Sequence, residues 1–232
     1  MKVNLFSILL SILVISFGIS CAGLPSETIV EKTEPAVYMF EQEINAPEIS
    51  LIRYEFIYET EPEIVKPELP TYIMGNGMVS VDKMSLFLQQ NNPRLDHDYV
   101  LMLMEFYIEE AAFEGVNHDI AFVQMCLETG YLRYGGDVKP EQNNFCGLGA
   151  IGNGEPGHSF PDPRTGVRAH IQHLKAYGSE EPLNSELVSP RFGFVRRGSS
   201  PTYEGLAGTW AADRQYAVKI KSILERLYDF AF

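Results

Sequence analysis

Basic residues are scarce in this chain. Its 232 residues include 18 Lys and Arg against 31 Asp and Glu, which gives a formal net charge of −13. The region from residue 71 onward is less acidic, with 14 basic and 20 acidic residues and hence a net charge of −6. Nucleic-acid binding depends on clustered Lys and Arg that neutralise phosphates. The composition therefore argues against a nucleic-acid partner.

Cysteine is rare as well, with residues at positions 21, 126 and 146 only. Cys126 and Cys146 are too few for a metal cage, and we expect either a disulfide between them or two buried free thiols. His170 and His173 are three residues apart, whereas a helical zinc pair usually has i, i+4 spacing with a partnering acid. The sequence thus predicts no metal site and no cofactor.

Signals of several other protein classes are missing. The sequence has no internal repeat, no heptad array and no Walker-type loop. Hydrolases with a nucleophilic Ser or Cys place that residue at a sharp strand-to-helix turn. Neither Cys126 nor Cys146 is so placed, and Gly198-Ser199-Ser200-Pro201 is typical of a loop that caps a helix. These patterns argue against a nucleophilic hydrolase.

An apolar run follows Lys2 and extends from Leu5 to Ile19. Its length of about 15 residues is short for a membrane span and typical of a signal-peptide core. The residues around Cys21 resemble a bacterial lipoprotein processing site, although Gly18 stands where Leu is usual. We therefore predict a signal peptide at 1–20 and lipidation of Cys21. The alternative is ordinary cleavage near residues 21–23, and either route exports the protein to the cell envelope or beyond.

Residues 21–70 are predicted to be an acidic tether. From residue 22 they contain eleven Glu and three basic residues, a net charge of −8, with six prolines that exclude long regular elements. High charge with scattered proline favours an extended spacer. The segment Ile49–Tyr58 differs, because its aromatic and β-branched residues alternate partly as in a strand. This segment is expected to pack against the following domain or to bind a partner.

Residues 71–232 are long enough for one domain with its own core, and their periodicity is mainly helical. The pattern predicts helices over 81–90, from Asp96 or Asp98 to about residue 113, over 117–128, from 165 onward, over 204–209 and over 214–228. Residues 131–163 are rich in glycine and proline and predict a loop or a small β-lobe. The fold class is therefore mainly α, with this lobe inserted after the third helix.

Glu128 is the most informative residue of that third helix. Asn117 is a good N-cap, apolar residues recur at helical spacing behind it, and Gly130 ends the helix. Glu128 follows on the apolar stripe, where poor solvation of its charged form should raise its pKa. A Glu that carries a proton near neutral pH can protonate a leaving oxygen, as glycosidases require. A helical Glu that simply faces solvent is the alternative.

Four sequence motifs occur in a fixed order and carry a family resemblance. They are LETGYL at 127–132, NNFCGLGA at 143–150, FPDPRTGVRAHIQHLKAY at 160–177 and WAADRQYAVKIKSIL at 210–224. Together they resemble the bacterial glucosaminidase family, which includes endo-β-N-acetylglucosaminidases that cut peptidoglycan. The resemblance covers roughly residues 80–228. It implies a lysozyme-like fold in which the glycan lies between the helices and the lobe.

The resemblance also implies site residues. Glu128 corresponds to the catalytic acid of the family, and Tyr216 to a residue of its site. A second catalytic group, a base or a nucleophile, is expected in the lobe. The available acids are Asp137, Glu141, Glu155 and Asp162, of which Glu155 and Asp162 are preferred. The alternative is that the acetamido group of the substrate takes this role. Phe145, Trp210 and Tyr216 are candidates for stacking on sugar rings, although Trp210 and Tyr216 could equally be core residues. Asn144 should fix a turn through its amide and could also reach a substrate carbonyl.

The sequence as a whole predicts an exported peptidoglycan hydrolase. Its partners are expected to be glycan strands and, through the lipid on Cys21, a membrane; a monomer is expected. The reaction would be cleavage of the β-1,4 bond after N-acetylglucosamine with Glu128 as general acid. Two alternatives remain at this point: a lytic transglycosylase, which also uses one helix-borne Glu, and a weakly catalytic lipoprotein that binds the cell wall.

Overall fold

The computed structural model describes residues 37–42, 53–58, 66–150, 154 and 156–232. The chain divides into two compact units, Met1–Glu63 and Ile64–Phe232. Cys21 and the predicted signal peptide lie outside the described residues, as does Glu155. The predicted boundary near residue 70 and the tether function of residues 21–70 stay predictions.

The described residues of the first unit form two antiparallel strands, β1 (Val37–Gln42) and β2 (Arg53–Tyr58). Val37 pairs with Tyr58 and Gln42 with Arg53, so that both strands are matched along their full length. The strand-like pattern noted in residues 49–58 is confirmed for β2. This regular structure falls within the segment predicted to be an extended spacer. Prolines 35, 47 and 62 lie outside both strands, which is why six-residue strands can form there.

The described residues of the second unit form five α-helices, so the mainly helical class is confirmed. They are α1 (Val81–Asn91), α2 (His97–Glu114), α3 (His118–Thr129), α4 (Pro163–Gly178) and α5 (Tyr216–Ala231). Three short 3-10 helices cover Pro140–Gln142, Phe192–Phe194 and Tyr203–Leu206. The last of these replaces the helix predicted over 204–209. In the described part of the chain, no helix is both long enough and apolar enough to pass through a membrane.

Helix α3 occupies the centre of the domain. Its side chains from Asp119 to Cys126 are all buried, and α2, α4 and α5 all contact it. The predicted cap is present, because Asn117 Oδ1 accepts hydrogen bonds from Asp119 N at 3.0 Å and Ile120 N at 3.2 Å. Gly130 ends the helix in the left-handed conformation, with φ of 58°. These two ends fix Glu128 in the last turn of a helix that the core holds from all sides.

Two buried carboxylates join the helices to each other. Asp119 accepts hydrogen bonds from Tyr228 Oη at 2.7 Å and from Met78 N at 2.8 Å, which ties α3 to α5 and to the segment before α1. Glu114 pairs with Lys175 at 2.8 Å, which ties α2 to α4, and both side chains are almost completely buried. Charges buried this deeply are stable only when they are paired and hydrogen-bonded. The helices around α3 are therefore fixed in orientation as well as packed.

The lobe follows α3 and consists of turns. Its described residues, 131–150, 154 and 156–162, form one 3-10 helix and no strand, so the loop form of the prediction describes them better than a β-lobe. The chain reverses after Gly130 through three non-glycine residues with positive φ, Tyr131, Leu132 and Tyr134. At its far end the lobe packs on α4, since a Cβ added to Gly166 would lie 1.8 Å from Asn143 O. Glycine at 166 is what permits this contact.

Candidate active site

The two oxygens of the Glu128 carboxyl group have different surroundings. Oε1 accepts a hydrogen bond from Tyr216 Oη at 2.5 Å and one from Trp210 Nε1 at 2.9 Å. Oε2 has no hydrogen-bond partner among the described residues and faces Gly147, where an added Cβ would lie 3.8 Å away. One oxygen is thus held by the protein, and the other is left for a ligand.

The protein also changes the acidity of Glu128. Although the residue as a whole is exposed, protein atoms around the carboxyl group partly desolvate it, and this raises its pKa above the usual value. The hydrogen bonds from Tyr216 and Trp210 favour the carboxylate and offset part of that rise. The predicted rise in pKa is therefore present in the structure, and its main cause is desolvation.

A cavity of about 230 Å³ opens beside Glu128. The lobe supplies most of its wall, and the lining residues are Glu128, Thr129, Tyr134, Gly135, Gly136, Asp137, Val138, Asn144, Gly147 and Ala150. The glycines leave space and expose backbone groups, and the carboxylates of Glu128 and Asp137 are the acidic groups of this wall. A pocket with few polar groups in fixed positions and a carboxyl of raised pKa is typical of an active site.

A chain of buried hydrogen bonds extends from Glu128 into the core. Gln124 Nε2 donates to Tyr216 Oη at 2.8 Å, and His170 Nε2 lies 2.9 Å from Gln124 Oε1. Tyr107 Oη lies 3.0 Å from His170 Nδ1. Each of these bonds joins two helices: Tyr107 lies on α2, His170 on α4, Gln124 on α3 and Tyr216 on α5. All four helices therefore contribute to the position of the Tyr216 hydroxyl.

The protonation of His170 sets the direction of this chain. Burial lowers the pKa of His170 to about 3, so the imidazole is neutral and carries one proton. Because Gln124 donates to Tyr216 with its amide nitrogen, its oxygen must accept from His170 Nε2–H, which leaves Nδ1 to accept from Tyr107. Every donor then has one acceptor, ending at Glu128 Oε1. Both nitrogens of His170 are occupied, which removes it as a metal ligand.

Trp210 lies on the other side of Glu128, in a cluster of rings. Its ring centroid is 4.9 Å from that of His173, 5.6 Å from that of Tyr177 and 6.0 Å from that of His170. The indole is half-buried and its N–H is bonded to Glu128. Trp210 therefore belongs to the cleft and to the core packing at once, and the same is true of Tyr216, whose ring is buried while its hydroxyl reaches Glu128.

The other predicted site residues make no hydrogen bond to the Glu128 carboxyl group in the described part of the chain. Phe145 is buried in the core at 1% exposure and packs edge-on against Tyr107, so it presents no face to a sugar. Asn144 lines the cavity, but its amide is used internally, with bonds to Leu148 and His158 backbone atoms at 2.9–3.0 Å. This is the turn-fixing role expected for Asn144.

Asp162 caps helix α4 and is absent from the cavity wall. Its two carboxyl oxygens accept hydrogen bonds from Thr165 N and Thr165 Oγ1, each at 2.8 Å. Those bonds, led by the one from the Thr165 backbone, lower its pKa. Asp137, rather than Asp162, is the lobe acid that shares the cavity with Glu128. The catalytic roles of Glu155 and Asp162 stay predictions.

Both internal cysteines are buried free thiols, one of the two expected forms. Burial raises the pKa of each thiol well above its usual value, and the negative charge of Glu128 adds to the effect at Cys146. Within the described ranges, no group of three or more His, Cys, Asp or Glu is arranged to hold a metal ion. The sequence interpretation missed Gln124, Tyr134 and His170. Gln124 gave a usable signal, because it is a polar residue four positions before Glu128 in an otherwise apolar helix.

Comparison with known proteins gives a family match. A family model described as glucosaminidase, mannosyl-glycoprotein endo-beta-N-acetylglucosaminidase, matches residues 104–229, which contain α3, the lobe, α4 and most of α5. An uncharacterized protein of Borreliella burgdorferi is 43% identical over 176 residues, covering 76% of this chain and 86% of that protein.

Two solved structures of S. aureus autolysin E are also similar, each over 75% of this chain and 80% of theirs. One is a catalytic mutant in complex with the disaccharide NAG-NAM, at 12% identity and a TM-score of 0.43. The other is a complex with the muropeptide NAM-L-ALA-D-iGLU, at 16% identity and a TM-score of 0.40.

Proposed function

Because the chain belongs to the glucosaminidase family of glycoside hydrolases, we propose that it is an exported peptidoglycan hydrolase. It cleaves the β-1,4 bond that follows N-acetylglucosamine, and Glu128 is the general acid. The observation that carries this proposal is the asymmetry of the Glu128 carboxyl group. Its Oε1 is held by Tyr216 and Trp210, and its Oε2 faces the cavity without a protein partner.

This asymmetry determines where the proton sits. The Tyr216 hydroxyl and the Trp210 indole both donate to Oε1, so a proton bound to Oε1 would compete with these two donors. A proton on Oε2 meets no such donor in the described ranges of the chain. The protonated Oε2 then lies at the cavity, where it can donate to the glycosidic oxygen as the bond to the leaving sugar breaks. The carboxylate that remains is stabilised by the Tyr216 and Trp210 bonds. The raised pKa keeps the acid form populated closer to neutral pH.

The second catalytic role goes to a group on the lobe side of the cavity. Asp137 lines the same cavity as Glu128 and is placed to orient or activate a water molecule. We expect Asp137→Asn to lower kcat by about 10²-fold or more, the lower range for loss of a general base. Glu141→Gln, a change at an exposed lobe residue outside the cavity wall, is the control. Full activity of Asp137→Asn would leave Glu155, Asp162 or the acetamido group of the substrate as the second group.

The product distinguishes hydrolysis from the transglycosylase alternative. We expect purified sacculi digested by this protein to release fragments with reducing N-acetylglucosamine ends, because water completes the reaction in a hydrolase. Mass spectrometry of borohydride-reduced fragments identifies those ends. A dominance of 1,6-anhydro-muramic ends would mean that the protein is a lytic transglycosylase.

Tyr216 should control the pH range of activity. A general acid works in its protonated form, so kcat/KM falls as the pH rises through the pKa of Glu128. The Tyr216 bond stabilises the carboxylate and lowers that pKa. Tyr216→Phe should therefore move the alkaline limb of the kcat/KM profile to higher pH and lower kcat about tenfold. Tyr228→Phe is the control, because it removes a second hydroxyl group of α5 that is bonded to a carboxylate of α3, that of Asp119. This variant should leave the alkaline limb in place. An equal shift of the limb in both variants would refute the Tyr216 assignment.

Export and anchoring complete the proposal. The apolar run at 5–19 and the residues around Cys21 support delivery to the cell envelope with a lipid on Cys21. Residues 21–70 would then let the catalytic domain reach the wall from its anchor. A mature N-terminus at residue 22 or beyond, read by mass spectrometry of the native protein, would rule out the lipid anchor without affecting the enzymatic proposal.

A further inference from the structure

The segment from Arg191 to Arg197, Arg-Phe-Gly-Phe-Val-Arg-Arg, is the most basic stretch of the catalytic domain. It contains three arginines and no acidic residue in a chain whose net charge is −13. Its centre is the 3-10 helix Phe192–Phe194. We call this segment the arginine loop. None of the family motifs described above includes it, and the catalytic proposal does not use it.

The loop presents a cation and an aromatic ring together. Phe194 is 76% exposed, the largest exposure among the large apolar side chains of the described residues. The guanidinium carbon of Arg191 lies 4.6 Å from the centre of the Phe194 ring. Arg191 is itself exposed, and it forms no ion pair with any residue that the structure describes. Its guanidinium donors are therefore free to bind a carboxylate in the two-pronged geometry that arginine favours.

The loop adjoins the catalytic cleft on the Trp210 side. Both ends of the loop are tied to α4, because Ser189 N donates to Gln172 Oε1 at 3.0 Å and Gly198 N donates to Ala176 O at 3.0 Å. His173 lies on α4 between these two attachment points, and burial together with the charge of Arg191 lowers its pKa to about 4. The ring of His173 packs against Trp210 at 4.9 Å, and Trp210 is bonded to Glu128. The 230 Å³ cavity lies on the lobe side of Glu128, and its wall does not include Trp210. A glycan that passes Glu128 from the lobe toward Trp210 would therefore extend toward the face of α4 to which the arginine loop is attached.

The net charge of the domain indicates which ligand the arginine loop can bind. A membrane of anionic lipid or a nucleic acid would meet a domain whose net charge is −6, and this repels an extended polyanion. A single carboxylate carried on a mainly neutral glycan needs only one arginine. In peptidoglycan, such carboxylates stand on the peptide arms attached to muramic acid. We propose that Arg191 and Phe194 form a subsite that binds the peptide arm of the glycan strand, with Arg191 on a peptide carboxylate and Phe194 against the apolar parts of the arm.

This subsite rests on the proposed function, since it assumes a glycan strand in the cleft. Its test uses binding rather than turnover, so that the two proposals can fail separately. Trp210 is the only tryptophan of the chain and lies beside Glu128. Its fluorescence in the full-length Glu128→Gln protein therefore reports occupancy of the cleft directly.

Two soluble probes of equal length are titrated: glycan strands with their peptide arms, and the same strands after an amidase has removed them. We expect Arg191→Gln and Phe194→Ser, made in the Glu128→Gln background, each to raise the Kd for the peptide-bearing strand about tenfold. The Kd for the stripped strand should change less than about twofold. Arg196→Gln removes the same charge from the same loop and should leave both Kd values within about twofold.

Several results would overturn the subsite. Equal weakening by Arg191→Gln and Arg196→Gln would indicate general charge attraction, and equal weakening for both probes would indicate a contact to the sugar itself. Unchanged Kd values in both loop variants would show that the loop is not used. Cosedimentation with anionic lipid vesicles that Arg191→Gln abolishes, with strand binding intact, would assign the loop to a membrane. If sacculi yield no products yet the arm-dependent loss of binding is seen, the subsite stands and the enzymatic proposal fails.

Discussion

Glu128→Gln should lower kcat on purified sacculi by at least about 10²-fold, while the protein stays folded. Glutamine keeps an oxygen that accepts from Tyr216 and Trp210, so the bonds at Oε1 survive. It has no proton to transfer to the leaving oxygen. Because Glu128 forms no ion pair with any residue in the described part of the chain, the variant should melt within a few degrees of the parent. Dye release from labelled sacculi gives kcat, and circular dichroism gives the melting curve.

Glu141→Gln is the matched control for this measurement, because Glu141 is an exposed lobe residue that does not line the cavity. It should keep turnover within about twofold of the parent. Unchanged turnover in Glu128→Gln would show that Glu128 is not the general acid, whereas absence of turnover in the parent protein itself would favour the wall-binding alternative. A variant that binds peptide-bearing strands with parental affinity but does not cleave them would support Glu128 as the chemical group rather than a binding group.

The helix that carries Glu128 could be predicted because its signals are local. Asn117 caps it, apolar residues recur along it, and Gly130 ends it, all within fourteen residues. The same is true of the cap at Asp162, where Asp is followed by Pro at the first helical position. This capping role accounts for the hydrogen bonds that both carboxyl oxygens of Asp162 accept. The Asp-Pro pattern could therefore have counted against a catalytic role for Asp162 from the sequence alone.

The partners of Glu128 could not be derived from local pattern. Trp210 and Tyr216 are 82 and 88 residues away along the chain. The packing of α5 on α3 brings Tyr216 to Oε1, whereas Trp210 precedes α5 and is held there by its contacts with His173 and Tyr177 of α4. The family resemblance implied a site role for Tyr216, but it did not show whether the ring or the hydroxyl group would act, and Trp210 was left open between the cleft and the core. In the structure, each of these side chains packs in the core and also donates a hydrogen bond to Glu128 in the cleft.

Phe145 shows the opposite difficulty. An aromatic residue inside a motif beside the catalytic helix has the same sequence signature whether it stacks on sugar or fills the core. Its burial follows from contact with Tyr107 on α2, which no spacing in the lobe reveals. His170 was likewise interpreted through its spacing to His173, whereas its partners Tyr107 and Gln124 lie on two other helices.

Loss of one partner from the buried pair of Glu114 and Lys175 should be strongly destabilising, because the other charge would stay buried without its partner. The two side chains are 0% and 3% exposed, and the carboxylate also accepts from Asn184 N and Ser185 N, each at 2.9 Å. Burial alone would raise the pKa of Glu114, but the hydrogen bonds from Asn184, Lys175 and Ser185 outweigh it and lower the pKa. The stabilisation is thus present above the pKa of an unfolded Glu and is lost as the pH falls through the lower pKa of the folded state.

Lys175→Met should therefore lower the free energy of unfolding by about 3–5 kcal/mol at neutral pH, because it leaves a buried carboxylate without its cation. Lys221→Met is the control: Lys221 faces Glu225 on the surface of α5 at 3.7 Å, both side chains are about half exposed, and the loss should stay below about 1 kcal/mol. Urea denaturation of the full chain, followed by far-ultraviolet circular dichroism, measures both. The deficit of Lys175→Met should shrink at acid pH, where Glu114 can be protonated. Equal costs in the two variants would mean that the buried pair stabilises the domain no more than a surface pair does.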